Sequence, residues 1–335
     1  MDFLFSSNEP QQSELKSDPN PQSHSCQLKI NEDYNDLSFE KLKNYINTRI
    51  KSVKKKNGNK NFSYNDYLDE FEKLENFIDY STAHMDALDM GIPELCRYSD
   101  IKTYKHNNIE INTETKYINA SPIIFKNDKK YFISTQGPKP NTIDDFWTMI
   151  EEYNCNIIVM LCKLEEGGRE KCANYWEIIK PEKYTVKILD EKENKFGKTI
   201  IIERNIQLIN NSTKNEKNVI QLHYEGWPDH GVPDIKETFK AFSFMIGKID
   251  EVKKDGPGVI HCSAGVGRTG TFISIYFLYK EIIDQIKDNN LETIDFNVFN
   301  MVRKLKEMRI VMVQNEQQYK FIYDFIDCLL KECNK

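Results

Sequence analysis

The sequence predicts one α/β domain in which a central twisted, mixed β-sheet is flanked by helices, with extra helices on the N-terminal side. Three observations predict it. Short apolar runs separated by turn residues recur from about residue 101 to 221, which is the pattern of strands. Segments with apolar residues at helical spacing stand before, among and after them. No segment repeats, and 39% hydrophobic and 12% aromatic residues in a chain of 335 can bury one large core.

The elements follow in order. Residues 1–33 are rich in Ser, Pro, Asn, Gln and Asp and hold too few apolar groups to offset the entropy of ordering, so a disordered tail is expected there. The remainder, 34–335, is expected to form the single domain. A first amphipathic helix is expected where Leu37, Leu42, Tyr45, Ile46, Ile50 and Val53 recur. A second starts at Ser63, with Asp66 three residues on as in a capping box, and runs to Ile78. The lysine-rich stretch 54–60 between them reads as a solvated linker. Strands are expected at 123–125, 131–134, 157–161, 184–189, 199–206, 218–224 and 258–261. Helices are expected at 143–153, 235–253, 267–286, 295–308 and 316–330.

Composition excludes several classes. Net charge is -6, which argues against a nucleic-acid binder driven by bulk charge. No apolar run approaches the ~20 residues of a membrane span. Residues 1–7 lack the basic start of a secretory signal, so a cytoplasmic location is expected. The eight cysteines include no Cys-x-x-Cys pair; they read as reduced thiols, and no metal or cofactor is expected.

One segment carries reactive chemistry. Val259-Ile260-His261 reads as a buried strand, and Val266 onward as the start of a helix. Between them lies Cys262-Ser263-Ala264-Gly265-Val266-Gly267-Arg268. Small residues and two glycines let the backbone curl with its N–H groups inward, and the helix N-terminus adds to that field. The result is an anion cradle that favours a thiolate at Cys262. Arg268 can hold two phosphate oxygens at once. Thr269 stands next to it as a hydrogen-bond donor for the sulfur, and His261 as a group that orients the loop.

The run His261-Cys262-Ser263-Ala264-Gly265-Val266-Gly267-Arg268-Thr269-Gly270 resembles the signature of classical protein tyrosine phosphatases, of the single-domain, non-receptor type. Other segments match that family in one colinear order from about Leu68 to Leu330. Trp227-Pro228-Asp229-His230-Gly231-Val232-Pro233 resembles its mobile acid loop, which implies Asp229 as general acid and then general base, supported by Trp227. Val313-Gln314-Asn315-Glu316-Gln317-Gln318-Tyr319 resembles its glutamine loop, with Asn315 where Thr is usual; Gln314 and Gln318 would position water. Cys96-Arg97-Tyr98-Ser99-Asp100 resembles its phosphotyrosine-recognition loop, although Leu95-Cys96 replaces the usual Lys-Asn. There Tyr98 would stack on the substrate ring and Asp100 would bind the peptide backbone. Glu166 aligns with a carboxylate that pairs with the signature arginine, and Lys171 with a lysine near the acid loop. Arg309 fits the arginine before the glutamine loop, and Lys306 stands where a second arginine is common.

The resemblance implies the phosphotyrosine protein phosphatase fold, a role in dephosphorylation and signal transduction, and phosphotyrosine-containing proteins as partners; the sequence leaves the oligomeric state open, with a monomer favoured. The nucleophile would be Cys262, forming a phosphocysteine, and Ser263, Ala264, Gly265, Val266 and Gly267 would bind the phosphate by backbone. Two other readings stand beside it: a catalytically silent phosphotyrosine-binding module, and a phosphatase for phosphoinositides or phosphoserine.

Overall fold

The computed structural model describes residues 64–77, 88–89, 91–124, 132–177, 182–228, 231–288 and 294–333. The expected tail, the helix at 37–53, the lysine-rich stretch, Ser63, Ile78 and Asp229 lie outside these residues.

Helix α1 (Tyr64–Phe77) comes first, then the short pair β1 (Leu88–Asp89) and β2 (Thr103–Tyr104). Strands β3 (Ala120–Ile123) and β4 (Phe132–Thr135), helix α2 (Ile143–Glu152) and strand β5 (Ile157–Met160) follow. A two-residue ribbon, β6 (Glu165–Glu166) with β7 (Arg169–Glu170), precedes three long strands: β8 (Tyr184–Phe196), β9 (Thr199–Asn210) and β10 (Glu216–Tyr224). Helix α3 (Ile235–Val252), strand β11 (Gly258–His261) and helices α4 (Gly267–Asp288), α5 (Val298–Met308) and α6 (Glu316–Cys333) close the chain.

The main sheet has seven strands in the order β3-β4-β11-β5-β10-β9-β8. Its centre, β4-β11-β5-β10, is parallel, and both flanks are antiparallel. Strands β4, β5 and β11 are buried at every position, as parallel strands covered on both faces must be; β5 is a continuous apolar run, while β4 and β11 are apolar up to the polar residues Ser134, Thr135 and His261 at their carboxyl ends. Helix α4 is apolar round most of its circumference; Phe272, Ile273, Ile275 and Leu278 are fully buried, and the helix packs with α5 and α6. Helix α1 packs on α5 and α6 through Phe71 and Leu74.

Capping sets two of the helix starts. Asp234 accepts from the N–H groups of Lys236 and Glu237 at 3.0 and 3.1 Å, which starts α3. Asn297 accepts from the Asn300 N–H at 2.8 Å, so α5 begins at Val298 rather than at 295. Strand β8 runs to Phe196 rather than ending at 189. Its second half, Asp190 to Lys195, is charged and largely exposed, so it lacks the apolar alternation that marks a strand; its pairing to β9 past a register shift at Ile188/Asp190 carries it on.

Strands β4, β5 and β11 all run toward one edge of the sheet, where Thr135, Met160 and His261 end in register. Ligands bind outside the carboxyl ends of parallel strands, and the Cys262 loop leaves β11 at that edge.

Candidate active site

The loop from Cys262 to Gly267 is held by its carbonyls. The Cys262 carbonyl accepts from His261 Nδ1 at 3.1 Å, and the Ser263 carbonyl from the Gly137 N–H at 2.9 Å. Arg309 NH2 donates to the Ala264 carbonyl at 3.1 Å and its Nε to the Gly265 carbonyl at 2.9 Å; Ser134 Oγ also donates to Gly265, at 2.8 Å. The Val266 carbonyl accepts from the Gly270 and Val313 N–H groups at 2.8 and 3.3 Å. In a trans peptide the next N–H points opposite the carbonyl. Anchoring the carbonyls outward therefore turns the amides of Ser263, Ala264, Gly265, Val266 and Gly267 to the other side, which is how a backbone cradle for an anion is built.

Two glycines permit this path. Gly265 sits at φ +70°, and a Cβ there would lie 2.1 Å from the Thr135 carbonyl oxygen. At Gly267 a Cβ would come within 2.9 Å of the Gln318 side-chain amide.

Arg309 is fully buried, and burial pushes its guanidinium down to about 10. Besides the two loop carbonyls, it donates to Asn119 Oδ1 at 2.7 Å and Ser121 Oγ at 3.3 Å. Its cost of burial is met by the four acceptors it holds, and its function is to fix the loop.

His261 is reached by a polar chain that starts on the outer strands. Arg204 on β9 donates to Glu191 Oε2 at 2.6 Å and to Gln221 Oε1 at 2.8 Å. Gln221 Nε2 donates to the Tyr175 hydroxyl oxygen at 2.6 Å, and that hydroxyl lies 2.9 Å from His261 Nε2. Burial pushes the His261 imidazole down to about 4, so it carries one proton near neutral pH. The Cys262 carbonyl can only accept, which puts that proton on Nδ1 and makes Tyr175 the donor to Nε2.

A cleft of about 340 Å³ opens over the loop. Cys262, Ser263, Ala264, Gly267 and Arg268 form its floor, and Tyr98, Asp100, Glu166, Lys171, Trp227, Gln314, Asn315 and Gln318 its sides. Gly265, Val266 and His261 do not line it. Cys262 is the cysteine that lines the cleft; its residue is 5% exposed. Cys96, in the recognition loop, is buried elsewhere, its sulfur 3.2 Å from the Tyr117 hydroxyl and 3.7 Å from Asn119 Nδ2.

Arg268 is held flat by Glu166 on β6. NH1 meets Oε1 at 2.5 Å and NH2 meets Oε2 at 2.7 Å, with a third bond from NH1 to the Leu161 carbonyl at 3.3 Å. Burial alone would raise the Glu166 carboxyl. The Arg268 guanidinium, the Lys163 N–H and Lys171 outweigh it and hold the carboxyl below its usual range.

The recognition loop is tied to the same floor. The Tyr98 hydroxyl lies 2.9 Å from Ser263 Oγ, which donates to the Lys171 carbonyl at 2.9 Å. Arg97 donates to the Gly137 and Pro138 carbonyls at 3.0 and 2.7 Å and pairs with Glu170 at 3.1 Å. Asp100 is exposed at the rim. Trp227 is buried, donates to the Gly231 carbonyl at 3.2 Å and lies with its ring 6.0 Å from the Arg268 guanidinium carbon. Asp229 itself is outside the described residues. Gln318 Oε1 accepts from the Gln314 N–H at 2.9 Å, and Asn315 Oδ1 accepts from the Gln318 N–H at 2.9 Å.

One expectation is corrected. Thr269 is fully buried and its hydroxyl has no hydrogen-bond partner among the described residues, so it does not bond the Cys262 sulfur. The backbone places it on the first turn of α4. Sequence reasoning also missed Tyr175, Gln221 and Arg204. Tyr175 falls within the stretch that resembles the family, but nothing in the spacing links it to Gln221, 46 residues on in β10.

Among the described residues no group of three or more His, Cys, Asp or Glu is placed to hold a metal, and no helix is long and apolar enough to cross a membrane.

Comparison with known proteins agrees with this geometry. Residues 93–328 match the family described as protein-tyrosine phosphatase. The chain is 34% identical over 270 residues to tyrosine-protein phosphatase non-receptor type 20 of Rattus norvegicus, covering 78% of this chain and 60% of that one. It is 37% identical over 237 residues to receptor-type tyrosine-protein phosphatase eta of Mus musculus, covering 68% of this chain and 18% of that one. The chain therefore spans three fifths or less of these relatives' length. Its fold superposes on the catalytic domain of human protein tyrosine phosphatase non-receptor type 18 with a TM-score of 0.67 at 27% identity, over 79% of this chain and 96% of that one. With its matched region, its cradle and its arginine–carboxylate pair in one cleft, the chain belongs to the protein-tyrosine phosphatase family.

Proposed function

We propose that this protein hydrolyses phosphotyrosine in proteins through a phosphocysteine intermediate. The observation that carries this reading is the floor of the cleft. Cys262 lies in a loop whose carbonyls are anchored outward, beside an Arg268 held in a plane by Glu166. That arrangement supplies a nucleophile together with donors for three equatorial phosphoryl oxygens.

In the first step the Cys262 thiolate attacks phosphorus, the bond from phosphorus to the tyrosyl oxygen breaks, and Asp229 gives that oxygen a proton. The position of Asp229 between Pro228 and Gly231, next to a Trp227 that lines the cleft, supports this role. In the second step Asp229 takes a proton from water, the water oxygen attacks phosphorus, and the sulfur leaves as thiolate with release of phosphate. Gln314 and Gln318, bonded to each other at the cleft wall, hold that water.

Tyr98 favours an aromatic substrate. It stands at the cleft wall with its hydroxyl over Ser263, as a flat face against which a phenyl ring can lie. Asp100 at the rim can accept from a peptide backbone, and Lys171 faces the same space. Phosphotyrosine proteins are thus the partners we infer, and every described residue of the site comes from one chain, which suits a monomer. Residues 34–335 form the catalytic domain in this reading, supported by the packing of α1 on α5 and α6. Free thiols at Cys96, Cys155, Cys162 and Cys172 suit a reducing compartment such as the cytoplasm.

Comparing kcat/KM on matched phosphotyrosine and phosphoserine peptides tests the reading. It predicts turnover of the first at least about a hundredfold better than the second, since a phosphoserine cannot reach the floor past Tyr98. Equal rates on both would overturn it.

A further inference from the structure

Helix α1 precedes the family-matched residues 93–328, yet it reaches the segment that carries Gln314 and Gln318. Val311 and Val313, one on each side of Met312, have φ of +58° and +59°. Both are β-branched, and a left-handed backbone at such residues is strained and persists only where its surroundings hold it.

Two bonds hold Val313. Its N–H donates to the Val266 carbonyl at 3.3 Å, and its carbonyl accepts from Lys306 Nζ at 3.3 Å. Lys306 is fully buried, and its ammonium pairs with Glu75 Oε1 of α1 at 2.5 Å. Burial pushes that ammonium down, and Glu75 opposes the shift. Glu70, on the same helix, accepts from the hydroxyls of Tyr319 and Tyr323. Tyr319 directly follows Gln318, and Phe71 packs on its ring with centroids 5.7 Å apart. The segment between Val313 and Tyr319 is therefore gripped at both ends by carboxylates of one helix. The groups of the first step are held mainly by other residues: the Cys262 loop by Arg309, Ser134 and His261, with Val313 reaching it only through the 3.3 Å bond to the Val266 carbonyl, and Arg268 by Glu166.

We propose that α1 is a positioning element for the second step: Glu75, through Lys306, holds the strained Val313 carbonyl and so sets Gln314 for the water that releases phosphate. This rests on the phosphocysteine route proposed above.

The test is rapid acid quench of the full chain with a ³²P-phosphotyrosine peptide, following formation and decay of the labelled protein. The variants are Glu75→Ala, Lys306→Met and the double variant, with circular dichroism confirming the fold. Glu75 is half-exposed, so its removal is tolerated; Met fills the Lys306 site without a charge. Decay of the phosphoprotein slows about tenfold in each single variant and no further in the double one, while formation and kcat/KM stay within about twofold of wild type. Decay at the wild-type rate, or formation and decay falling together, overturns the positioning role. A wild-type protein that forms no phosphocysteine overturns the underlying route as well, and the two failures are told apart by the wild-type trace.

Discussion

The Tyr175 hydroxyl donates to His261 Nε2 at 2.9 Å and so keeps the imidazole proton on Nδ1, the nitrogen that faces the catalytic loop. Gln221 fixes the donor sense of the hydroxyl, because its own carbonyl oxygen is taken by Arg204 and only its amide N–H is left for Tyr175. A bond between two fully buried side chains thus holds the Cys262 carbonyl through His261 Nδ1.

Tyr175→Phe removes that donor with little change of shape. The expected result is a kcat roughly tenfold lower with KM nearly unchanged, because loop geometry matters more in the transition state than in binding. The ¹⁵N NMR spectrum of His261 supplies the second readout. Wild type shows a single Nδ1-protonated tautomer, and the variant shows exchange between tautomers. A single tautomer in both proteins contradicts the chain of bonds.

Glu166→Gln keeps the shape of the Arg268 partner and removes its charge. Arg268 then loses one of two charge-assisted bonds and its fixed plane. We expect kcat/KM on phosphotyrosine peptide to fall about a hundredfold, the scale of a misplaced transition-state donor. The pH dependence follows from the sign of the shift. The Glu166 carboxyl is held below its ordinary 4.5, so the pair is intact above that value and is lost as pH falls through the lower folded value. Wild-type kcat/KM should therefore show no break from Glu166 above pH 4.5.

His261 and His223 set the acid limit of stability. Burial pushes them down to about 4 and about 3 from an ordinary 6.5, so both are neutral in the folded protein where the unfolded chain would bind protons. A folded value below the unfolded one means that stability is present above pH 6.5 and is lost as pH falls toward the folded values. For His261 alone the loss across that window is about 3 kcal/mol. Urea unfolding at stepped pH should show this fall, and His223→Gln should flatten it. An unchanged slope in the variant would mean that His223 is not the buried neutral group described.

Asp229→Ala removes the acid that the sequence places beside Trp227. Expected is a kcat lower by about a hundred- to a thousandfold with substrate binding retained, measured by steady-state kinetics and by retention of phosphotyrosine protein on the immobilised variant. A variant that turns over at the wild-type rate would remove Asp229 from the mechanism.

The fold was legible where burial leaves a period. Strand β5 reads as an unbroken apolar run because both faces are covered, β4 and β11 as short apolar starts that end in Ser134-Thr135 and His261, and α6 as an amphipathic stripe. The far half of β8 was not legible, because solvent on its sides leaves no alternation. At the site, Cys262 and Arg268 were legible from the residue types that an anion cradle needs, whereas Tyr98, Gln314 and Gln318 were legible only through the resemblance of their segments to the family; the structure brings all five to one cleft. Arg309 could be named as a matching position, but not as the residue that turns the loop carbonyls outward. The partners of Lys306 and Tyr175 lie 231 and 86 residues away along the chain, and no local pattern records a bond across such a distance.

The central claim is that Cys262 attacks the phosphoryl group of phosphotyrosine. Rapid acid quench with ³²P-phosphotyrosine peptide, followed by proteolysis and mass mapping of the labelled residue, tests it most directly. The account predicts phosphate on Cys262, formed faster than free phosphate appears, and neither label nor turnover in Cys262→Ser. Label on another residue, or turnover surviving in Cys262→Ser, would contradict it.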